Sequence, residues 1–290
     1  MTPKLAGHVV TLARSTRLAS LKSVGILLKS VKFDLSKYAT EILSVVLPQA
    51  RHADERRRLE ALATVGCLSE KSSNPDAVEA MFSAVKSVIG GSEGRLAFPY
   101  QRVGMINVVQ ELARVPDGKY LNSLSRSICS FLLSCYKDDG NEEVKLASLS
   151  ALASSGARCP DAIQLDVVTF IGSGLKEKET LRTSHLRCLR VMCKSADAVV
   201  RISSLLVPLV QLVKRGFTKA AQRLDGIYAL LSVARIAVID IKADEILLKE
   251  KIWSLIAQSE PSLVPVTMVV PIHPPSNMRA FYACFAFASV

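Results

Sequence analysis

Long apolar runs are missing from this sequence: none reaches the roughly 18 residues a membrane-crossing helix needs, and Met1 to Arg14 lacks the apolar core of a signal peptide. No stretch alternates polar and apolar residues long enough to specify a strand. Aromatic residues make up only 6% of the chain, with one tryptophan, and do not alternate with the basic residues. That disfavours a base-stacking platform for single strands. Seven cysteines in 290 residues carry no disulfide framework. Cys67, Cys129, Cys135, Cys188 and Cys193 fall in or beside apolar helical stretches, where a free thiol behaves as a small hydrophobe. These absences make the cytoplasm the default compartment and exclude a membrane role.

Catalytic signals are equally sparse. Gly90-Gly91-Ser92-Glu93-Gly94 is glycine-rich, but no Gly-Lys-Ser/Thr follows and no strand precedes it, so it reads as a long turn rather than a phosphate cradle. His185 and Cys188 stand one helical turn apart with Cys193 beyond them. A structural zinc needs four ligands in short paired spacings, and no second pair exists. A packed cysteine and a solvated histidine are expected instead. Glu177 and Glu179 flank Lys178 at a helix start, where acidic side chains favour the dipole. No nucleophile, base and orienting group assemble. The chain reads as non-enzymatic, with no cofactor, no metal and no small-molecule substrate.

What is present is a repeat. The triplets Leu18/Leu21/Val24, Leu59/Leu62/Val65, Val103/Ile106/Val109, Leu146/Leu149/Leu152, Leu186/Leu189/Met192 and Leu224/Ile227/Leu230 each step i, i+3, i+6, which places them on one side of a helix. Their leading positions are 41, 44, 43, 40 and 38 residues apart. A second apolar stretch follows each: Ile42–Leu47, Val78–Ile89, Leu121–Leu133, Ile163–Ile171, Ile202–Val213 and Ile246–Ile256. Turn and cap signals separate them at Ser73-Asn74-Pro75-Asp76, Pro116-Asp117-Gly118, Asp138-Asp139-Gly140-Asn141 and Cys159-Pro160-Asp161. A helix pair of about forty residues cannot bury its apolar face alone and must stack on its own kind. The pattern predicts an all-α HEAT/armadillo-type α-solenoid of about six helix-pair repeats over residues 1–259, with the six triplets buried. A tail of residues 260–290 follows, extended or loosely docked. From Pro261 onward it carries five of the twelve prolines, which forbids helix.

The net charge is +11. Basic residues cluster at Arg51 with Arg56, Arg57 and Arg58; at Arg182, Arg187, Arg190, Lys194 and Arg201; and at Lys214, Arg215, Lys219 and Arg223. Arg187, Arg190 and Lys194 share a helix face by their spacing of three and four. They are the candidate contact residues for a phosphate backbone, lying opposite Leu186 and Leu189 and expected to be unburied. An ordinary solvated face is the competing reading.

The strings Asp34-Leu35-Ser36-Lys37-Tyr38-Ala39, Leu47-Pro48-Gln49-Ala50-Arg51-His52, Cys67-Leu68-Ser69-Glu70-Lys71-Ser72-Ser73-Asn74-Pro75-Asp76, Ile89-Gly90-Gly91-Ser92-Glu93-Gly94-Arg95-Leu96, Gly174-Leu175-Lys176-Glu177-Lys178-Glu179 and Gln222-Arg223-Leu224-Asp225-Gly226-Ile227-Tyr228-Ala229-Leu230-Leu231 resemble the general-control translational activator family in its plant form. These are very large HEAT-repeat proteins, and the resemblance runs from about Leu18 to Met268, near the N-terminal end of the family protein. It implies a part in translational control. Family members associate with translating or stalled ribosomes and help activate the kinase that phosphorylates initiation factor two during amino-acid starvation and other stress; in plants the family is linked to immunity and development. The family's kinase-binding repeats and its elongation-factor-three-like region lie far toward its C-terminus and have no counterpart here. The resemblance therefore implies ribosome contact and no direct kinase contact. The tail departs from the family. A truncated or alternatively spliced product and a genuine short paralogue both remain open. So does a second functional class, a generic HEAT protein-interaction module with no ribosome role.

Overall fold

The computed structural model describes residues 11, 18–113, 121–217 and 219–236. All regular structure among them is helical. The α-helices are α1 (Leu18–Ser30), α2 (Ala39–Ala50), α3 (Glu55–Glu70), α4 (Pro75–Ile89), α5 (Pro99–Leu112), α6 (Leu121–Asp138), α7 (Glu142–Arg158), α8 (Leu165–Gly174), α9 (Glu179–Met192), α10 (Ala196–Arg201), α11 (Leu206–Arg215) and α12 (Ala220–Ile236). The six triplets fall on α1, α3, α5, α7, α9 and α12. The first four second stretches fall on α2, α4, α6 and α8, and Ile202–Val213 covers the turn after α10 and most of α11. The sixth second stretch, Ile246–Ile256, the Pro116 turn, the 1–259 boundary and the tail all lie outside the described residues. No described helix is long and apolar enough to cross a membrane.

The helix starts follow from local chemistry. Asp54, Asn74 and Asn141 hold extended backbone and turn their side-chain oxygens onto the first free N–H groups of α3, α4 and α7: Arg56 at 2.9 Å, Asp76 at 2.8 Å, and Glu143 at 3.0 Å with Val144 at 3.3 Å. Pro75 and Pro99 occupy first helical positions, where a missing N–H costs nothing. Gly91 and Gly94, at φ of 96° and 90°, let the glycine-rich turn fold back between α4 and α5.

The chain divides into two compact units at Val167/Val168. In unit 1, α1, α3, α5 and α7 form one row, each packing on the next. Helices α2 and α4 pack together in a second row, and α2–α3, α4–α5 and α6–α7 join the rows. This is the stacking of a helical-repeat solenoid. The sequence period reappears as physical ties between neighbouring repeats. Leu35 N–H donates to Lys71 O (2.8 Å), Ser73 N–H to Asp34 (3.1 Å), Ser69 Oγ to Leu112 O (2.9 Å), and Arg102 pairs with Asp139 (2.6 Å). Gly104 brings α5 against the end of α2, where a Cβ would stand 2.0 Å from the Ala50 carbonyl oxygen. In unit 2, α9 and α12 form the row, and α10 and α11 pack on α12.

The core is aliphatic: Leu28, Leu35, Ile42, Leu43, Leu68, Met81, Met105, Ile106, Leu112, Ile128, Leu132 and Leu149 are essentially fully buried. Each large aliphatic side chain so buried contributes about 1.5–3 kcal/mol. The triplets mark this core with one correction. Leu59 is 58% exposed and Leu62 half-buried; α3 buries Ala61, Thr64, Val65 and Leu68 instead. Steps of i, i+3, i+6 cover an arc of about 120° at 100° per residue, so one end of a triplet falls at the edge of the covered face. That end is the leading residue in α1, α5, α7 and α12, whereas α9 buries all three.

Candidate interaction surface

Unit 2 carries the basic face singled out in the sequence. Arg187 and Lys194 are exposed, while Leu186, Leu189 and Met192 fill the interior side of α9. Arg190 is different. Its Nη1 donates to Asp225 at 2.8 Å, its guanidinium lies over the Tyr228 ring at 5.7 Å, and Asp225 is nearly buried. Its charge is engaged in joining α9 to α12, whereas Arg187 and Lys194 have no ion pair among the described residues. Close by, Gln222 Nε2 donates to Thr183 Oγ1 (2.8 Å) and Glu179 O (3.1 Å), and Lys219 pairs with Glu179 at 3.6 Å.

His185 corrects the sequence expectation. It is fully buried rather than solvated, with Nδ1 against Leu181 O at 2.8 Å and its ring 5.2 Å from that of Phe170. Gly174 makes the slot: a Cβ there would meet the imidazole at 2.0 Å. Burial drives the imidazole pKa below its ordinary value, with Leu181 O and Glu177 opposing. Cys188 and Cys193 are also buried. No described group of three or more His, Cys, Asp and Glu side chains is placed to hold a metal. Burial pushes the thiols of Cys129, Cys135 and Cys193 up to about 12, which leaves them protonated and unreactive. Glu179 is the first residue of α9, and Glu177 precedes it.

In unit 1 the Arg51–Arg58 cluster is mostly structural. Arg51 pairs with Glu93 across the two loops. Arg58 Nη1 donates to His52 O (2.9 Å) and Ala53 O (2.7 Å), closing the end of α2. Arg57 lies 3.9 Å from Asp54. Only Arg56 is left exposed without an ion pair among the described residues. Sequence reasoning missed what these loops carry. Phe98 and Tyr100 stack with ring centroids 5.5 Å apart and planes within 10°, and the Arg58 guanidinium lies over Tyr100 at 5.5 Å. Scarce aromatics argued against such a feature, but composition counts rings without placing them. The usable signal was local: two aromatics flank Pro99 between Arg95 and Arg102.

Helix pairs stacked around a buried aliphatic core define, among the described residues, a helical-repeat solenoid of the HEAT/armadillo kind. Residues 12–96 match the family model described as "Stalled ribosome sensor GCN1 N-terminal". Over 248 residues, 86% of the chain, the sequence is 64% identical to Protein ILITYHIA of Arabidopsis thaliana; it is 22% identical over 250 residues to the stalled ribosome sensor GCN1 of Mus musculus and over 251 to that of Homo sapiens. By sequence the chain is similar to GCN1-family proteins, and it spans 9% of the length of each of these relatives. Solved structures similar to it include an engineered protein (15% identity, TM-score 0.46, covering 79% of this chain and 96% of that one) and a designed armadillo repeat protein (14%, TM-score 0.43, 78% and 98%).

Proposed function

We propose that this chain is a non-enzymatic scaffold that associates with ribosomes in the cytoplasm and takes part in translational control. The observation that carries the reading is its 64% identity to ILITYHIA over 86% of its length, joined by the GCN1 N-terminal match at residues 12–96. The named relatives GCN1 are stalled ribosome sensors. In this reading the chain supplies ribosome contact. That contact would serve regulation of initiation-factor-two kinase activation under amino-acid starvation or stress without direct contact between this chain and the kinase. Arg187 and Lys194 are the proposed contacts in unit 2, with Arg190 acting through the ion pair that holds their helix.

The test is co-sedimentation of the full chain with ribosomes across a salt series. Phosphate contacts predict binding that weakens steeply as salt rises. The paired variant Arg187→Glu, Lys194→Glu weakens binding and flattens the salt dependence by about two contacts. Arg190 is left intact, because its loss would strand Asp225. Failure of the unmutated chain to co-sediment at low salt overturns the reading and favours a generic protein-interaction module.

A further inference from the structure

We propose that Phe98 is a stacking platform for an unpaired base of single-stranded RNA, with Arg56, Arg57 and Arg95 meeting the neighbouring phosphates. Phe98 is 56% exposed, yet the loop beneath it is clamped. Arg102, fixed by Asp139 at 2.6 Å, donates from Nη1 to Leu96 O (2.9 Å) and Ala97 O (3.3 Å). Phe98 N–H donates to Gln101 Oε1 and its carbonyl accepts the Gln101 N–H, both at 3.1 Å. The stack on Tyr100, backed by Arg58, fixes the plane of the ring. A large apolar face is thus held rigid in water, which is what a ready-made stacking surface requires.

The surrounding charge selects the occupant. The Arg51–Glu93 pair and the Arg58–Tyr100 contact bring residues 51–58 and 93–102 together. These two segments hold six arginines against Asp54, Glu55 and Glu93. Arg56 and Arg95 are exposed with no ion pair among the described residues, and Arg57 reaches Asp54 only at 3.9 Å. Helices α3 and α5 both begin here, adding the positive ends of two dipoles. A cationic side chain from a partner would stack on the ring but meet like charge. A plain apolar side chain would leave the arginines unused. A nucleobase with its phosphate uses both. The base must be unpaired, because a duplex keeps its faces stacked inside.

This deepens the ribosome reading and rests on it for the choice of RNA, but it is tested separately. Fluorescence anisotropy of a labelled oligoadenylate with the full chain at low salt reads binding directly, with a duplex RNA of equal length as the control. The parent is expected to prefer the single strand. Phe98→Ala weakens single-strand binding about 5- to 100-fold, Phe98→Trp keeps it, and the pair Arg56→Gln, Arg95→Gln lowers the logarithmic salt slope by about 1.4. Unchanged thermal melting in each variant assigns the loss to the surface. Three results would each overturn the proposal: no binding by the parent, equal binding by Phe98→Ala, or equal affinity for duplex. If Phe98→Ala loses ribosome co-sedimentation while the parent ignores oligoadenylate, the ring meets a protein surface and the nucleic-acid assignment fails. If the parent binds oligoadenylate through Phe98 but does not sediment with ribosomes, the ribosome reading fails and the platform stands.

Discussion

The two units bury different kinds of polar side chain. Among the described residues, the polar side chains unit 1 encloses are all hydroxyls: Thr64, Ser69, Ser72, Ser125, Ser148 and Ser155. Thr64, Ser72 and Ser148 donate to the carbonyls four residues back, at 2.7, 2.8 and 2.9 Å, and Ser69 reaches the neighbouring repeat. Unit 2 encloses His185, Gln222 and Asp225, of which the last two reach from α12 to α9 across the helix row. A hydroxyl satisfies itself locally and leaves packing to decide how repeats stack. A buried amide or carboxylate needs its partner in the next helix, so it couples stability to one geometry and, for the histidine, to pH.

The largest expected effect breaks that partnership. Arg190→Glu leaves Asp225 enclosed beside a like charge and should destabilise unit 2 by about 2–4 kcal/mol, discounted from a fully buried pair because Arg190 is partly exposed. Arg187→Glu should change stability by less than about 0.5 kcal/mol. Thermal melts of the two variants check the pair, and equal losses would mean that the ion pair does not hold α9 to α12.

Next come the close approaches. Gly104→Ala in unit 1 and Gly174→Ala in unit 2 both overpack, by about 1–3 kcal/mol or more. The obstacle at Gly104 is the Ala50 backbone; at Gly174 it is a side chain. Adding His185→Ala should therefore recover part of the Gly174→Ala loss in a double-mutant cycle and do nothing for Gly104→Ala.

Acid should separate the units. His185 titrates below its ordinary value in the fold, so the unfolded chain takes up a proton first as pH falls. The stability it contributes is complete above about pH 6.5 and is lost as pH falls from there toward the folded pKa. Asp34 in unit 1 is also lowered: Ser36 and Ser73 donate to its carboxylate and outweigh the opposing desolvation. Its contribution is lost only as pH falls through the carboxylate range. Hydrogen-exchange protection, with the pH dependence of the intrinsic rate divided out, should fall in α9 and α12 between pH 7.5 and 5 while α3 and α5 hold, and His185→Phe should abolish the difference. The smallest loss expected from a broken contact is Ser69→Ala, at about 1 kcal/mol for one inter-repeat hydrogen bond.

The sequence made the repeat legible because burial in a stacked helix pair demands the same spacing each time, and because Asn74, Pro75 and Asn141 state helix starts in their own chemistry. It could not show which flank of each helix a neighbour covers. Leu59 and Val65 satisfy the same periodicity, yet only Val65 is enclosed. His185 carried the same blind spot, since the missing Cβ that admits it lies eleven residues away at Gly174. Arg190 shared a face with Arg187 and Lys194, but its partner sits 35 residues on. Phe98 stands out only once its ring is seen exposed above a clamped loop.

The ties in unit 1 have a mechanical consequence. Leu35–Lys71, Ser69–Leu112 and Arg102–Asp139 each close a loop of about one repeat, and their loops overlap little. Tension along the chain would put the full force on each tie instead of dividing it among them, so the unit should yield stepwise under a pulling force. Each yielded repeat of about forty residues would release about 130 Å of slack at roughly 3.3–3.6 Å per extended residue. A stack bridging two large bodies in relative motion would act as a ratcheted tether, lengthening in increments and recovering each one by re-forming a single local register.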